Sequence, residues 1–231
     1  MSTSGGTAFA TRDEYEAWAR SQDWYQTMKL PSGIQLEGSV RTDRRLTRLR
    51  EIDWAGKRVL DIGCNSGQYC LFASQSGASK AVGIDVDAHR LEQARTIAVN
   101  EGLDVDFLEM SLFEAPQLGG FDIVLCYAVL TEIRDLFGAL EALAKVTSQA
   151  AFIEIGLAGR GWLPLSPRSW RPRVPGVSPR TSMAELRVTK RGVWVVRPTL
   201  QVLAAALGDD FTLRRMRGGL RYDAVELRRV S

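Results

Sequence analysis

From residue 58 onward, short apolar runs alternate with longer stretches in which apolar residues have helical spacing. Short apolar and β-branched runs predict strands over residues 58–62, 81–85, 105–109, 121–127 and 150–155. Between these runs, apolar residues recur at spacings of three and four, which predicts amphipathic helices over residues 68–76, 88–101 and 133–147. The alternation of strands with helices is typical of right-handed crossovers and of a parallel sheet that helices cover on both faces.

The segments on either side of this core predict further elements. Short helices are expected over residues 12–20 and 40–51, and a C-terminal strand pair over residues 211–216 and 222–227. Five of the eight prolines lie between residues 156 and 180, which predicts an irregular lid because proline interrupts helices and central strands. After the lid we expect a small hairpin over residues 186–189 and 193–196, then a helix over residues 198–207 with Pro198 in its first turn.

The predicted fold class is therefore α/β. We expect a doubly wound, mostly parallel seven-stranded sheet with a C-terminal antiparallel strand pair, an N-terminal helical cap and a proline-rich lid. We divide the chain into a tail and cap over residues 1–56 and a main domain over residues 57–231. Residues 156–197 form the lid within that domain.

Composition narrows the class of protein. The 231 residues are 45% hydrophobic and 25% charged, which is typical of a globular protein with one core. No run of about 18 apolar residues predicts a membrane helix, and the first residues lack the pattern of a secretory signal, so we expect a cytoplasmic protein. Three cysteines without a paired spacing and a single histidine predict reduced thiols and no metal site.

Charge is distributed unevenly along the chain. Residues 1–155 hold 15 lysines and arginines against 22 acidic residues, whereas residues 156–231 hold 15 against 5. A basic segment of this kind attracts an anionic substrate or a nucleic acid. Because 25 of the 30 cationic residues are arginine, an ordinary solvated surface explains the same pattern, and both interpretations stay open here.

The first predicted strand contains Asp61 and leads through a glycine-containing turn directly into a helix. Gly63 allows a ligand to approach the backbone, and free amides at the helix start favour a negatively charged group. Asn65 stands where a dinucleotide-binding GxGxxG pattern has its second glycine, which weakens a phosphate-binding interpretation. A tight turn without any ligand is the alternative.

A second acid supports the ligand-binding interpretation. Asp85 lies 24 residues after Asp61 at the end of the second predicted strand, where its carboxylate can accept hydrogen bonds from both hydroxyls of a ribose. The third strand ends nearby, at Glu109-Met110-Ser111-Leu112. Because the carboxyl ends of parallel strands lie at one edge of a sheet, the three segments predict a crevice that binds a nucleoside.

These segments resemble the class I S-adenosylmethionine-dependent methyltransferase family. VLDIGCNSG, VGIDVDAHRLEQAR and FDIVLCYAVL resemble its first, second and fourth motifs, over about residues 57–155. The resemblance implies a Rossmann-like methyltransferase fold, with S-adenosylmethionine (SAM) as cofactor and S-adenosylhomocysteine (SAH) as its product. It implies the following contacts: Asp61, Gly63, Cys64, Asn65 and Gly67 around the methionine part, Asp85 on the ribose, Val86 on the adenine with Ser111 and Leu112 at its edge, and Cys126 and Tyr127 beside the sulfonium.

A narrower resemblance reaches into the cap. Trp24-Tyr25, Leu30-Pro31-Ser32-Gly33 and Arg44-Arg45 are similar to the branch that contains the tRNA wobble-uridine carboxymethyltransferase and its small relatives. On this resemblance, Trp24 and Arg44 are expected to contact the cofactor as well.

Catalytic and substrate-binding candidates lie beyond the strand ends. Glu154, Tyr127 and Glu132 are the candidate bases, with Glu154 foremost because an acid in an apolar run is costly unless it is paired or functional. A buried ion pair with an arginine of the cap is the alternative for Glu154. The candidates for substrate contact are Tyr25, Trp162, Arg168 and Trp194, and ordinary packing with solvated arginines is the alternative for them.

The sequence thus predicts a methyltransferase that transfers a methyl group in line to an oxygen or nitrogen of a small molecule, such as a biosynthetic intermediate. If the basic segment binds this substrate, the substrate is expected to be anionic. Two alternatives remain: an RNA-modifying methyltransferase that uses the basic C-terminal region, and a non-catalytic protein that binds the cofactor on the same fold. No membrane partner is expected.

Overall fold

The N-terminal cap contains more strand than the sequence predicts. The computed structural model describes residues 5–157, 184–188, 194–216 and 223–230. The cap elements are α1 (Arg12–Ser21), β1 (Trp24–Gln26), β2 (Met28–Lys29), β3 (Gln35–Leu36), β4 (Gly38–Val40) and α2 (Asp43–Leu49). β1 pairs with β4 in parallel, and β2 pairs with β3 antiparallel. Strands of two or three residues are too short for a periodic hydrophobic signal, so the sequence predicted only a turn-rich segment there.

The remaining elements follow the predicted alternation. In chain order they are β5 (Arg58–Ile62), α3 (Gln68–Gln75), β6 (Lys80–Asp85), α4 (Ala88–Asn100), β7 (Asp106–Glu109), a 3-10 helix (Leu112–Leu118), β8 (Phe121–Tyr127), α5 (Leu136–Val146), β9 (Thr147–Ile155), β10 (Ala184–Val188), β11 (Trp194–Pro198), α6 (Leu200–Leu207), a short 3-10 helix (Gly208–Asp210), β12 (Phe211–Met216) and β13 (Asp223–Arg229). Each predicted strand and helix of the core lies within three residues of its observed bounds.

The central sheet has seven strands in the order β12-β13-β9-β8-β5-β6-β7. The pairs from β9 through β8, β5 and β6 to β7 are all parallel, whereas β13 runs antiparallel to both β9 and β12. The predicted α/β class, the seven strands and the C-terminal antiparallel pair are thereby confirmed. The chain proceeds from β5 to one side of the sheet and returns to its other side with β8, so a crevice is expected at the carboxyl ends of β5 and β8.

Two details of the C-terminal part differ from the prediction or lie outside the described residues. Pro198 ends β11 and is not in the first turn of α6; Thr199 caps that helix, and its side chain accepts a hydrogen bond from the backbone N–H of Val202. The predicted hairpin is present as the antiparallel pair β10–β11. Most of the predicted lid, residues 158–183, lies outside the described residues, as does the predicted turn at Gly218-Gly219.

The cap is joined to α4 by one shared hydrophobic cluster. Its buried members include Tyr15, Trp24, Met28 and Leu30 from the cap and Leu91, Ile97 and Phe107 from α4 and β7. At the end of α4, the carboxylate of Glu101 accepts hydrogen bonds from the Tyr15 hydroxyl at 3.1 Å and from the backbone N–H of Ser32 at 2.7 Å. The division of the chain between residues 56 and 57 stays a prediction. The cap and α4 share one hydrophobic cluster, so packing does not separate them there.

Residues 5–10 also lie along α4. The backbone N–H of Thr7 donates to the Thr96 hydroxyl, and that of Phe9 donates to the side chain of Asn100. Gly6 packs directly on the backbone of Arg95, where a larger residue would collide. Among the described helices, none has the length and hydropathy needed to cross a membrane.

Candidate functional site

The turn between β5 and α3 is built from residues in the left-handed backbone region. The φ angles are +72° at Gly63, +51° at Asn65 and +81° at Gly67. Asparagine is one of the few residues besides glycine that adopts this region readily, so Asn65 preserves the turn that a glycine would form. The backbone N–H groups of Gly63 and Cys64 both donate to the carbonyl of Ile84, at 2.8 and 3.0 Å, which attaches the turn to β6.

Packing explains why glycine occupies two of these positions. A Cβ atom at Gly63 would collide with the side chain of Val129, and one at Gly67 would meet the ring of Phe107 at 2.6 Å. The sequence predicted that Gly63 leaves room for a ligand. The structure corrects this: the side chain of Val129, from the loop after β8, occupies the space that the missing Cβ leaves.

Asp85 is held in a defined orientation at the end of β6. One carboxylate oxygen accepts the backbone N–H of Asn65 at 2.8 Å, and the other accepts that of Asp87 at 3.0 Å. Each carboxylate oxygen has two lone pairs, so both keep acceptor capacity for further donors. The next residue, Val86, has 71% of its surface exposed, the largest fraction among the exposed large apolar residues of the described chain. A carboxylate beside an exposed apolar side chain fits the ribose and base of a nucleoside.

Asp61 lies deeper in the same edge of the sheet. It is buried, and the hydrogen bond shown for its carboxyl in the described residues comes from the thiol of Cys70 at 3.9 Å. Burial, with a contribution from the nearby charge of Asp85, raises the pKa of Asp61 well above its usual value, although Arg45 opposes this. Cys64, Cys70 and Cys126 are buried thiols, and burial raises the pKa of each.

The raised pKa of Asp61 predicts how stability depends on pH. Above about pH 4, where an unfolded aspartate ionises, the folded state holds its proton more tightly, so the free energy of unfolding decreases as pH rises towards the folded pKa. Asp61→Asn removes this titration. We expect the ligand-free variant to gain stability relative to wild type as pH rises from about 4 to neutral, measured by urea unfolding. Asp104→Asn, at an exposed acid, is the control; an Asp61→Asn difference that does not change with pH would contradict the prediction.

Glu154 is the centre of a buried polar cluster between α2 and the sheet. Its carboxylate accepts a hydrogen bond from Arg45 at 2.6 Å, and Arg48 lies 3.9 Å away. Arg45 also donates to the hydroxyl of Tyr69 at 3.2 Å, and its guanidinium lies 5.3 Å from the centre of the Tyr127 ring. The structure therefore shows the ion pair with cap arginines that was the alternative to a catalytic Glu154.

The other two candidate bases differ in their surroundings. Burial, together with Tyr69 and Glu154, raises the pKa of Tyr127 well above its usual value, so its hydroxyl keeps its proton. Glu132 is exposed in the loop that follows β8, and its backbone N–H donates to the carbonyl of Val129. The same loop contains Ala128 with a φ of +65°, a strained conformation for a residue with a Cβ.

Several residues that were predicted to contact the cofactor make structural contacts within the protein. Ser111 caps the 3-10 helix, and both its hydroxyl and its backbone N–H donate to Glu114. The side chains of Leu112 and Cys126 are buried in the core, so only their backbone atoms are available at the crevice. Trp24 is buried in the cap, where its indole N–H donates to the carbonyl of Ala19 at 2.7 Å. Contacts of these residues with a cofactor stay predictions.

The predicted cap and substrate residues are only partly placed. Arg44 is exposed, and its neighbour Arg45 is the one that reaches the sheet. Tyr25 is 45% exposed on β1. Trp162 and Arg168 lie outside the described residues, and Trp194 begins β11 with a side chain that is not described. These substrate contacts stay predictions.

Three residues near the crevice were missed from the sequence: Arg45, Gln26 and Gln68. The helical spacing could have identified Arg45, because it lies one turn before the buried Leu49 and so shares the inward face of α2. No comparable signal marks the two glutamines, because only the tertiary structure buries them.

Solved structures with similar folds support the topology described above. The chain matches the N-terminal domain of EvdMO1 with SAH bound with a TM-score of 0.68 and 19% identity, covering 96% of this chain and 98% of that chain. It matches magnesium protoporphyrin IX methyltransferase (ChlM) from Synechocystis PCC 6803 with bound SAM with a TM-score of 0.54 and 18% identity, covering 82% and 78%. At these identities the likeness shows the fold alone.

Sequence relatives match about half of the chain. An Erwinia tasmaniensis protein named ubiquinone biosynthesis O-methyltransferase is 28% identical over 141 residues, covering 55% of this chain and 57% of its own. A Klebsiella pneumoniae protein of the same name is 31% identical over 113 residues, covering 47% and 46%. This chain thus spans about half the length of the curated relatives it matches. They do not bear the name of the carboxymethyltransferase branch, so that narrower assignment stays a prediction.

A family model supplies the remaining comparison. Residues 59–150 match the family described as methyltransferase domain, and they contain β5 to β8, with the turn at Gly63 and the acid Asp85. The family model thus matches residues 59–150, and the solved structures share the fold of the chain around them.

Proposed function

We propose that this protein is a SAM-dependent methyltransferase that acts on an oxygen or nitrogen of a small molecule. The observation that carries the proposal is the Asp85 carboxylate, which two backbone amides orient beside the exposed Val86 at the carboxyl edge of the sheet. That arrangement suits a nucleoside whose ribose is recognised by its two hydroxyls.

The residues around Asp85 and around the turn from Gly63 to Gly67 support a site for the ribose, the adenine and the amino-acid part of the proposed cofactor. Asp85 would hold the ribose, Val86 would pack on the adenine, and the turn from Gly63 to Gly67 with Asp61 would surround the amino-acid part. The buried carboxyl of Asp61 has no strong donor among the described residues, and a cationic group would supply one. When bound, the sulfonium of SAM supplies a methyl group with an excellent leaving group already attached.

The protein's own contribution is then mainly to align the acceptor and to exclude water. Alignment alone can lower a barrier by about 7 kcal/mol or more. Tyr127 keeps its proton and is suited to donate a hydrogen bond rather than to accept a proton. Glu154 is paired with Arg45, which supports a role in positioning that arginine. Glu132, exposed beside the end of β8, is the carboxylate we propose as base where the acceptor carries a proton.

The names of the relatives support oxygen as the acceptor atom and a biosynthetic intermediate as the substrate. We further propose that the substrate is anionic. Arg197, from β11, packs so closely on the backbone of Gly156 that a Cβ there would lie 2.8 Å from its Nε atom. A guanidinium next to the carboxyl end of β9 supports this proposal. An RNA substrate and a non-catalytic role remain the competing proposals.

Incubation with methyl-labelled SAM and fractionated cell extract tests the proposal. We expect label to enter low-molecular-weight material, and ribonuclease treatment to leave that signal unchanged. Label found only in nuclease-sensitive material would favour the RNA alternative. Tight binding of SAH without transfer to any fraction would favour a non-catalytic protein.

A further inference from the structure

We propose that Gln26 and Gln68 bind the amino-acid ammonium group of SAM, so that the cap completes the cofactor site. This inference rests on the proposed function. It concerns residues of the cap and of the first turn of α3, and Gln26 lies outside the residues that match the methyltransferase family.

The two glutamines carry buried oxygen atoms that lack partners. Gln26 is 4% exposed and Gln68 is 6% exposed, and neither Oε1 atom has a hydrogen-bond partner within the described residues. Buried side-chain acceptors are rarely left unpaired in native proteins, so each such atom calls for a donor that the described chain does not provide.

The orientation of Gln68 is determined by its neighbour in the cap. Its Nε2 group donates to the backbone carbonyl of Thr27 at 3.2 Å. A carbonyl only accepts, so the reverse orientation of the amide would place two acceptors together. The oxygen of Gln68 must therefore face away from Thr27, and the residue before Thr27 is Gln26.

Gln68 lies at the N-terminal end of α3, beside the turn described above, and Gln26 precedes Thr27, the cap residue that Gln68 contacts. Gln68 is the first residue of α3, and its N-cap Gly67 provides no side-chain cap. Two residues further along the helix, the thiol of Cys70 contacts the buried Asp61. An unpaired acceptor of Gln68 thus lies at this end of α3, Gln26 contributes a second from the adjoining strand of the cap, and the thiol of Cys70 is the donor shown for Asp61.

A group that complements these acceptors must carry several donors and no acceptor. An ammonium group has three N–H donors and no lone pair, and it also carries the positive charge that a buried aspartate favours. In the proposed cofactor, the methionine ammonium is the group with this chemistry, and it belongs to the part of SAM expected at the turn from Gly63 to Gly67.

The cap is built to hold β1 against this end of α3. Gly38 of β4 lies so close to Gln26 that any Cβ would collide with the Gln26 backbone. Thr27 donates its N–H to the carbonyl of Val40, and its own carbonyl accepts from the Thr42 hydroxyl at 3.2 Å as well as from Gln68. These contacts hold the main chain beside Gln26 at a constant distance from α3.

Calorimetry with two ligands tests the assignment. SAH contains the amino-acid group, whereas 5′-methylthioadenosine has the same thioether nucleoside without it. We expect Gln68→Leu and Gln26→Leu each to weaken SAH binding about tenfold or more and to leave 5′-methylthioadenosine binding unchanged within about twofold. Gln26→Glu keeps an acceptor and adds a negative charge, so we expect SAH affinity equal to wild type or higher.

The outcomes separate this inference from the proposed function. Unchanged SAH affinity in both leucine variants would overturn the inference, and so would a parallel loss of both ligands, which indicates a general change at the site. Wild-type protein that binds neither ligand would instead overturn the proposed function. If a leucine variant fails to fold by circular dichroism, Gln26→Glu decides: weaker SAH binding with unchanged 5′-methylthioadenosine binding would overturn the inference.

Discussion

Asp85→Ala is expected to weaken SAH binding by about 100-fold or more. The Asp85 carboxylate would accept hydrogen bonds from two ribose hydroxyls, and a hydrogen bond to a charged group contributes about 1.5–3 kcal/mol. Two such bonds correspond to at least two orders of magnitude in the dissociation constant. The substitution also releases the backbone N–H groups of Asn65 and Asp87, which loosens the turn that faces the ligand. Isothermal titration calorimetry measures the loss.

A neighbouring acid provides the matched control for that experiment. Asp87 caps α4, where its carboxylate accepts the backbone N–H groups of His89 and Arg90, and it is exposed. Asp87→Ala removes the same charge two residues away and is expected to cost about 1 kcal/mol of stability while SAH affinity stays within a few-fold of wild type. If Asp85→Ala binds SAH as tightly as Asp87→Ala, the nucleoside crevice does not lie at the end of β6.

Arg45→Ala is expected to destabilise the protein by about 3–5 kcal/mol. The Arg45 and Glu154 side chains are only 16% and 7% exposed, and removing one partner of a buried pair leaves an uncompensated charge. Arg48 lies 3.9 Å from the other carboxylate oxygen of Glu154, so its positive charge compensates in part for the loss of Arg45. Tyr69 also loses its contact with the guanidinium. Urea or guanidinium unfolding, monitored by tryptophan fluorescence, gives the change in the free energy of unfolding.

A second substitution and a neighbouring arginine make this prediction specific. Combining Arg45→Met with Glu154→Gln removes both charges, and we expect it to recover most of the lost stability because the buried carboxylate no longer needs a partner. Arg44→Ala changes the adjacent, exposed arginine and should shift stability by no more than about 0.5 kcal/mol. Equal effects of Arg44→Ala and Arg45→Ala would show that the ion pair does not attach α2 to the sheet.

The contacts that connect the cap to the main domain include three polar sets. Glu101 binds the region of Tyr15 and Ser32, Thr27 accepts from Gln68, and Arg45 pairs with Glu154. The last two lie beside the proposed cofactor site. We therefore expect substitutions in the cap to change ligand affinity as well as stability, whereas a cap that merely covered the sheet would change stability alone.

Much of the fold could be predicted from local patterns. The strands from residue 58 onward were located because each is a short apolar run, and their helices because apolar residues recur every three or four positions. Asp61 and Asp85 were selected for the same reason, since each lies at the end of a strand that its own apolar residues define. The short strands β1 to β4 were not predicted, because two or three residues do not establish a hydrophobic period.

What the sequence determined by itself is the order of strands and helices and the acids at the carboxyl edge of the sheet, because these depend on residues close together in the chain. Only the tertiary structure decided the partners. Arg45 meets Glu154 across 109 positions, Gln68 meets Thr27 across 41, and Val129 fills the space over Gly63. Such contacts depend on the rotation of helices and the alignment of strands when distant segments pack together. A local hydrophobic pattern does not predict that packing. That Glu154 pairs with an arginine of the cap could therefore be seen only in the fold.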